Sequence, residues 1–537
     1  IRNAGHRAVS FSGGTGNEVY GCDVYDTGEG GISMGGGDRK TLTPGNHNVE
    51  NNHVHHYSRR ARTYKTGITI SGCGNRMAHN LVHHGPHMAL SAPGNDHIVE
   101  FNEIHNAVYE SGDAGAYYVG RDWTQQGNIL RYNYWHQIVG ATGHGGMTIY
   151  LDDQHSGHTI HGNIFERCSR AVFIGGGLDN IASNNVFLDC WKAAHLDNRG
   201  MGWQKKFTDD TNSSIHVGLR AMPYQGELWA SRYPNLVNIL NDDPGVPKRN
   251  VFRRNVSAGG SWDDIHQGTR HLQTVEDNLV FDQEPDWIKL VRDETGKPVE
   301  IVFKDPAAVA AIGFEPIPVA KIGLYEDSRR ASWPVERTVD TVKLPDPPKP
   351  RAMANLQPNP TLLVPRAEQP ASEVMTLTCD YDGALVEPPA QARFAHDGKV
   401  LRITMTTPLP AKRNLGEQWG QAEAIELALK AADGANADTL VLRGFTTGTT
   451  TVFRLANGSQ RPAPELAAAA RFEAKVAGDS WTCTWTIPLD QLGVTPGDRM
   501  RANVTVRRTG TGNWLMWRAT QGDSTSCERV GTLELAP

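Results

Sequence analysis

Two stretches of this chain concentrate groups that can move protons. SGDAGAYYVGRDW (residues 111–123) and GHGGMTIYLDD (143–153) bring Asp113, Arg121, Asp122, His144, Asp152 and Asp153 close in sequence, with Trp123 and Tyr150 beside them. Carboxylates crowded around one arginine and one histidine cannot all ionise at the same pH, so their pKa values are pushed apart. One carboxyl kept protonated and another kept ionised is what cleavage of a glycosidic bond requires. Asp113, Asp152 and Asp153 are therefore the candidate catalytic residues. Arg121, Asp122, Trp123, His144 and Tyr150 are candidate substrate contacts. His195, Asp197 and Arg199 in AHLDNRG extend the same surface two repeats on.

These residues must be held by a repeating scaffold. An Asn followed by alternating apolar residues recurs at Asn52, Asn80, Asn102, Asn133, Asn163 and Asn185, and again at Asn255 and Asn278. The intervals are 28, 22, 31, 30 and 22, then 23, which is a coil of about 22 residues with loops inserted in some turns. Such a coil is too short for a helix and a crossover. It suits three short strands per turn, stacked at about 4.8 Å. The expected fold is all-β: a right-handed parallel β-helix, with the Asn side chains forming a ladder along the stack. Aligning the central coils on Asn102 and Asn133 places Asp113 over His144, Arg121 over Asp152 and Asp122 over Asp153. Strand alternation would then present only one of Asp152 and Asp153 on the outer face.

His55, His83, His105 and His136 each follow a repeat Asn by three residues and should stack in one column. A column does not converge on one point as zinc ligands must, so it reads as a polar surface ladder and no metal is expected. Cys168 and Cys190 read as stacked core thiols rather than a disulfide.

The repeat breaks over residues 200–249, which carry Trp203, Tyr224, Trp229 and Tyr233. A stretch this long without repeats reads as a partly helical excursion beside the site, with Trp229 a candidate substrate contact. A final piece containing GFEPIP and IGLYEDSRRASWP reads as an end cap, closing a β-helix domain over 1–340. The Pro-rich segment 341–370 reads as a linker. From 371 to 537, period-two strands such as VLRITMTT and WTCTWTIPL predict an antiparallel β-sandwich. Its Trp419, Trp481, Trp485, Trp514 and Trp517 are either stacking platforms for sugars or core residues.

Composition narrows the functional classes. The formal net charge of −6 over 537 residues offers no basic footprint for nucleic acid. No apolar run approaches the roughly 18 residues of a membrane span. Seven cysteines do not make a disulfide framework. The sequence opens on IRNAGHRAVSFSGG, which already reads as coil, so a cap and an export signal are expected upstream, with a secreted or periplasmic location. A carbohydrate substrate is expected, and no cofactor.

The motifs SGDAGAYYVGRDW, MTIYLDD, AVFIGGGLDNIASNNVF, AAHLDNRG and LYEDSRRASWP resemble the right-handed parallel β-helix proteins of glycoside hydrolase family 141, over roughly residues 1–338. That resemblance implies a bacterial polysaccharide-degrading enzyme of α-L-fucosidase or xylanase type. It also implies an acidic pair of Asp113 with Asp152 or Asp153. The C-terminal domain is similar, more loosely, to carbohydrate-binding family 9 sandwiches. Two other readings share the fold: a polysaccharide lyase, which the scarcity of Lys and Arg in the focal stretch disfavours, and a non-catalytic binding solenoid.

Overall fold

A computed structural model describes residues 1–141, 146–266, 268–344, 353–354, 360–367, 374–381, 383–431, 438–456, 459–511, 513–520, 524–527 and 530–537. The chain divides into two compact units, Ile1–His266 with Leu272–Pro350, and Gln267–His271 with Arg351–Pro537.

The first unit is a parallel β-helix of three sheets. Sheet one runs from Val9–Ser12 to Asp263–Ile265, sheet two from Asp23–Tyr25 to Leu279–Phe281, and sheet three from Glu18–Tyr20 to Thr274–Glu276. Val, Ile, Leu, Phe and Trp at alternate positions point inward and are buried along the axis, for example Val54, Val82, Ile104, Trp135, Phe165 and Phe187.

The repeat asparagines form the expected ladder. Asn102 donates from Nδ2 to Asn133 Oδ1 at 2.9 Å, and its backbone N–H donates to the same oxygen at 3.0 Å. The same pair of bonds recurs from Asn52 through Asn80, Asn163, Asn185 and Asn255 to Asn278. Each ladder Asn follows a residue in the left-handed region, such as Phe101 (φ 56°) or Tyr132 (φ 57°), which turns the chain between sheets three and two. A second ladder, not visible in the repeat, lines the turn between sheets one and three. There the backbone N–H groups of His47, His97, His158, Asn180 and Asn250 donate to Asn75, Asn128, Asn180, Asn250 and Gln273 of the next coil.

The histidine column exists but is not a surface feature. His55, His83, His105 and His136 stack at 4.6–5.0 Å between centroids. His83, His105 and His136 are buried. The cause is the segment expected to cap the end. After a hairpin (Ile288–Arg292 with Pro298–Phe303) it runs back along the outer face of sheet two, where Gly323 bonds Phe101, Tyr325 bonds Asn51, Arg330 bonds Asp23 and Asp340 bonds Asn106. Apolar residues there, including Tyr134, Val186 and Val256, were available to be covered by Trp287, Val309 and Ile322. The hydrophobic gain accounts for a covering strap in place of a cap.

The second unit is an antiparallel β-sandwich. Leu401, Ile403, Met405, Trp485 and Ile487 face Ile425, Leu427, Leu442, Val504 and Val506 across one core. Trp419, Trp481, Trp485, Trp514 and Trp517 are all buried, so these five are core residues and not open platforms for a sugar. All seven cysteines are free thiols.

Candidate active site on sheet one

The register of sheet one corrects the alignment made on the asparagines. Gly120 pairs with Asp152, so Arg121 stands over Asp153 and not over Asp152. The offset is 31 in sheet two but 32 here, because the turn 139–145 holds one residue more than its counterpart 108–113. The same pairing separates Asp113 from the other acids. It precedes Ala114, which is level with Gly146, and so lies seven positions before Asp152, roughly 23 Å along the strand. Asp113 is exposed, and its backbone N–H bonds Ser111 Oγ at 3.3 Å. The expected pairing of Asp113 with Asp152 or Asp153 is not formed. His144 lies outside the described residues.

What the structure brings together is Asp152, Asp153, Asp197, Arg121, Arg199 and Tyr150, with Gln204 from the 200–249 excursion. Asp152 is the last residue of the strand Gly146–Asp152. Alternation would turn Asp153 to the opposite side, but Asp153 adopts φ 46° and the strand ends there. Both carboxylates consequently accept from Nη1 of Arg199, Asp153 at 3.1 Å. Arg199 is buried and held from behind by Asp197, which accepts from Nε at 3.0 Å and Nη2 at 2.7 Å. Gly175, on the intervening coil, leaves the guanidinium its space: a Cβ there would lie 2.6 Å from Arg199 Cζ.

The two acids have different partners. Asp152 accepts from Tyr118 Oη at 2.7 Å and from the Asp153 backbone N–H at 2.9 Å. Burial, reinforced by the neighbouring Asp153 charge, raises its pKa above the usual carboxylate value. Burial pushes Asp153 the same way, but hydrogen bonds from Arg121 and Gln204 and the charges of Arg121 and Arg199 outweigh it and hold Asp153 below the usual value. The proton affinities of the two neighbours are thus displaced in opposite directions. Arg121 is 63% exposed, so it covers Asp153 as a surface side chain that can swing away at small cost.

A row of rings leads away from the acids on the same face. Tyr118, Tyr150, Phe173 and His195 are register partners on successive coils. Tyr150 stacks on Phe173 at 4.7 Å, and Phe173 on His195 at 4.0 Å. Burial lowers the His195 pKa to about 3 despite the opposing Asp264 charge, so this ring is neutral. Trp203 is 67% exposed and flanks the Arg199 guanidinium at 5.5 Å.

Three candidate contacts have structural duties instead. Asp122 accepts from Thr124 N–H at 2.7 Å, Thr124 Oγ1 at 2.6 Å and Gln125 Nε2 at 3.0 Å, which closes a turn. Trp123 and Trp229 are buried in one cluster with Leu178, Ile215 and Leu219, fastening the helical excursion to the coil. Gln204 and Trp203 were missed because they sit where the repeat offers no register. Tyr118 and Phe173 could have been found by stacking AYYVG and AVFIG on MTIYLD. A cavity of about 460 Å³ opens elsewhere, between Asn106, Tyr109, Gln137 and Lys343; its one carboxylate, Asp340, is engaged by His84 at 3.0 Å.

No family model matches the chain, and no curated protein sequence matches it. Among solved structures, a candidate carbohydrate-binding protein from Bacteroides uniformis is similar over 33% of this chain and 98% of its own, at 16% identity and a TM-score of 0.27. A family 9 carbohydrate-binding module from Caldicellulosiruptor kristjanssonii, solved with cellotriose, covers 33% of this chain and 93% of its own, at 12% identity and 0.25. Tailspike protein 2 of an Escherichia coli O157:H7 bacteriophage covers 98% of this chain and 61% of its own, at 9% identity and 0.19.

Proposed function

We propose that this protein is a glycoside hydrolase acting on a polysaccharide laid across sheet one, with Asp152 and Asp153 as its acid pair. The observation that carries the reading is that these two neighbouring carboxylates share one buried guanidinium but have different further donors, Tyr118 on Asp152 and Arg121 with Gln204 on Asp153, which displaces their pKa values in opposite directions. Asp152 retains the proton to give the leaving glycosidic oxygen as the C–O bond breaks. Asp153 offers an electron pair to the anomeric carbon, directly or through water. Trp203, which is exposed, supplies a face on which a sugar ring stacks. The resemblance of the motifs to glycoside hydrolase family 141 supports the same chemistry, of α-L-fucosidase or xylanase type, in a secreted or periplasmic setting. A carbohydrate-binding role for the C-terminal sandwich belongs to the same proposal, through surfaces other than its five buried tryptophans.

One observation favours elimination as a second reading: Arg170, Lys192 and Arg199 join Arg121 near this face, a cation count not visible in the focal stretch. Release of reducing sugar from fucose-containing and xylan-type polysaccharides, followed for wild type, Asp152→Asn and Asp113→Asn, tests the proposal. Hydrolysis should fall 10²–10⁴-fold in Asp152→Asn and persist in Asp113→Asn. Activity that survives in Asp152→Asn removes the pair from the chemistry, and unsaturated products absorbing in the ultraviolet establish a lyase.

A further inference from the structure

The charged groups on the outer face of sheet one are matched almost throughout. Arg199 has Asp152, Asp153 and Asp197; Arg121 has Asp153; Lys192 has Asp264. Arg170 is the exception. It opens the strand Arg170–Ile174, pairs in register with Met147 and Lys192, and is only partly exposed. Among the described residues no carboxylate lies within salt-bridge distance of it: Asp264, whose charge acts on it, is held by Lys192, and its buried Nε–H has no acceptor.

Its surroundings hold the guanidinium in place without satisfying it. Cζ lies 5.5 Å from the centre of the Phe173 ring and 5.6 Å from that of Trp191. Contacts with the rings leave the Nη1 and Nη2 end of the planar group without a hydrogen-bond partner among the described residues, and that end can meet a carboxylate or sulfate with two parallel hydrogen bonds. Phe173 also ties the two ends of the face together, because Arg199 Cζ lies 5.2 Å from the same ring. A sugar lying across this face beside the acid pair would therefore bring its neighbouring unit to Arg170.

We propose that Arg170 is an anion-recognition residue that makes this face select an acidic polysaccharide, one bearing a uronate carboxylate or a sulfate ester on a unit next to the cleaved bond. The inference rests on the reading of sheet one as the substrate face, though not on which bond-breaking chemistry follows. A matched cation would give no such preference; an unmatched and oriented one gives both affinity and sign selectivity.

The test is binding, measured on the full chain with immobilised glucuronoxylan, pectic rhamnogalacturonan and fucoidan, each paired with its carboxyl-reduced or desulfated counterpart. Wild type should retain at least one acidic glycan tenfold or more tightly than its neutralised partner, with the preference shrinking as salt is raised. The carboxyl-reduced and desulfated arms separate uronate from sulfate recognition. Arg170→Gln should abolish the preference while leaving affinity for neutral glycans in place. Arg170→Lys, which keeps the charge but not the fork, should recover only part of it. Equal binding of acidic and neutral forms by wild type, no retention of any acidic glycan, or a preference that survives Arg170→Gln in a folded protein overturns the proposal. Failure of the hydrolase reading looks different: acid-selective binding intact, with no sugar released.

Discussion

Asp152 and Asp153 are consecutive in sequence, yet both carboxylates reach the same atom, Nη1 of Arg199. A continuing strand forbids this, since neighbours point to opposite faces. The left-handed turn at Asp153 makes it possible, and the distinct donors around each acid then give the pair unequal proton affinities.

Those affinities set a pH profile. On the proposed chemistry activity needs Asp152 protonated and Asp153 ionised, so it should be lost as pH falls through the lowered Asp153 pKa and as it rises through the raised Asp152 pKa. Tyr118→Phe removes a donor to the Asp152 carboxylate, which raises that pKa further. The alkaline limb of kcat/KM should move to higher pH in this variant. A limb that stays where it was would show that Asp152 does not set it.

Gly175→Ala probes the space behind the pair. The new Cβ meets Arg199 Cζ at 2.6 Å, and three carboxylates oppose its retreat. Overpacking should cost about 1–3 kcal/mol in denaturant unfolding and abolish turnover. Gly5→Ala, with nothing within 4 Å of its new Cβ, is the control and should match wild type. Normal turnover in Gly175→Ala would mean the arginine is dispensable.

The buried histidines make the fold acid-labile. Burial lowers the pKa of His53 to about 3, of His105 to about 3 and of His155 to about 3, against an unfolded value near 6.5. Their contribution is complete above about pH 6.5; it is lost as pH falls from there towards the folded pKa, because only the unfolded chain takes up the protons. Each such histidine removes about 1.4 kcal/mol per pH unit in that window. Thermal midpoints should therefore drop steeply between pH 6.5 and 4, and a flat profile would contradict neutral burial.

Asn133 tests the ladder. Its side chain donates to Val99 O and Asn163 Oδ1 and accepts from Asn102, all in buried surroundings. Asn133→Ala leaves several polar groups unmatched, at about 1–3 kcal/mol for each one orphaned. Urea midpoints should fall accordingly, with a change below 1 kcal/mol excluding a structural role for the ladder.

The coil was legible in the sequence because Asn52 to Asn278 satisfy a geometric requirement that repeats each turn. The partners of the acids were less so. A single added residue before Gly146 moved Arg121 from Asp152 to Asp153, a change invisible to any alignment anchored on the asparagines. Trp123 and Trp229 resembled ligand platforms because aromatic side chains serve a buried seam as well as an open groove. Gln204 and Trp203 lie where no periodicity constrains the chain, and only the folded excursion places them. Asp197 and Arg199 were visible as members of the surface, while their bidentate embrace depends on Gly175, whose importance lies in what it lacks.

The excursion that supplies Gln204 also changes how the solenoid holds together. Most coils close over 22–31 residues, but Asn185 and Asn255 stand 70 apart, and closing that interval costs on the order of 1 kcal/mol more. In a nearest-neighbour stack that cost falls on this one joint, where the buried cluster of Trp123, Leu178, Ile215, Leu219 and Trp229 opposes it. Arg199 and Gln204 sit at its lip. Were the joint to open, the two acids would lose Arg199 and Gln204, contacts that divide them. On the proposed chemistry, the charge state the acids need is thereby conditional on the integrity of one seam.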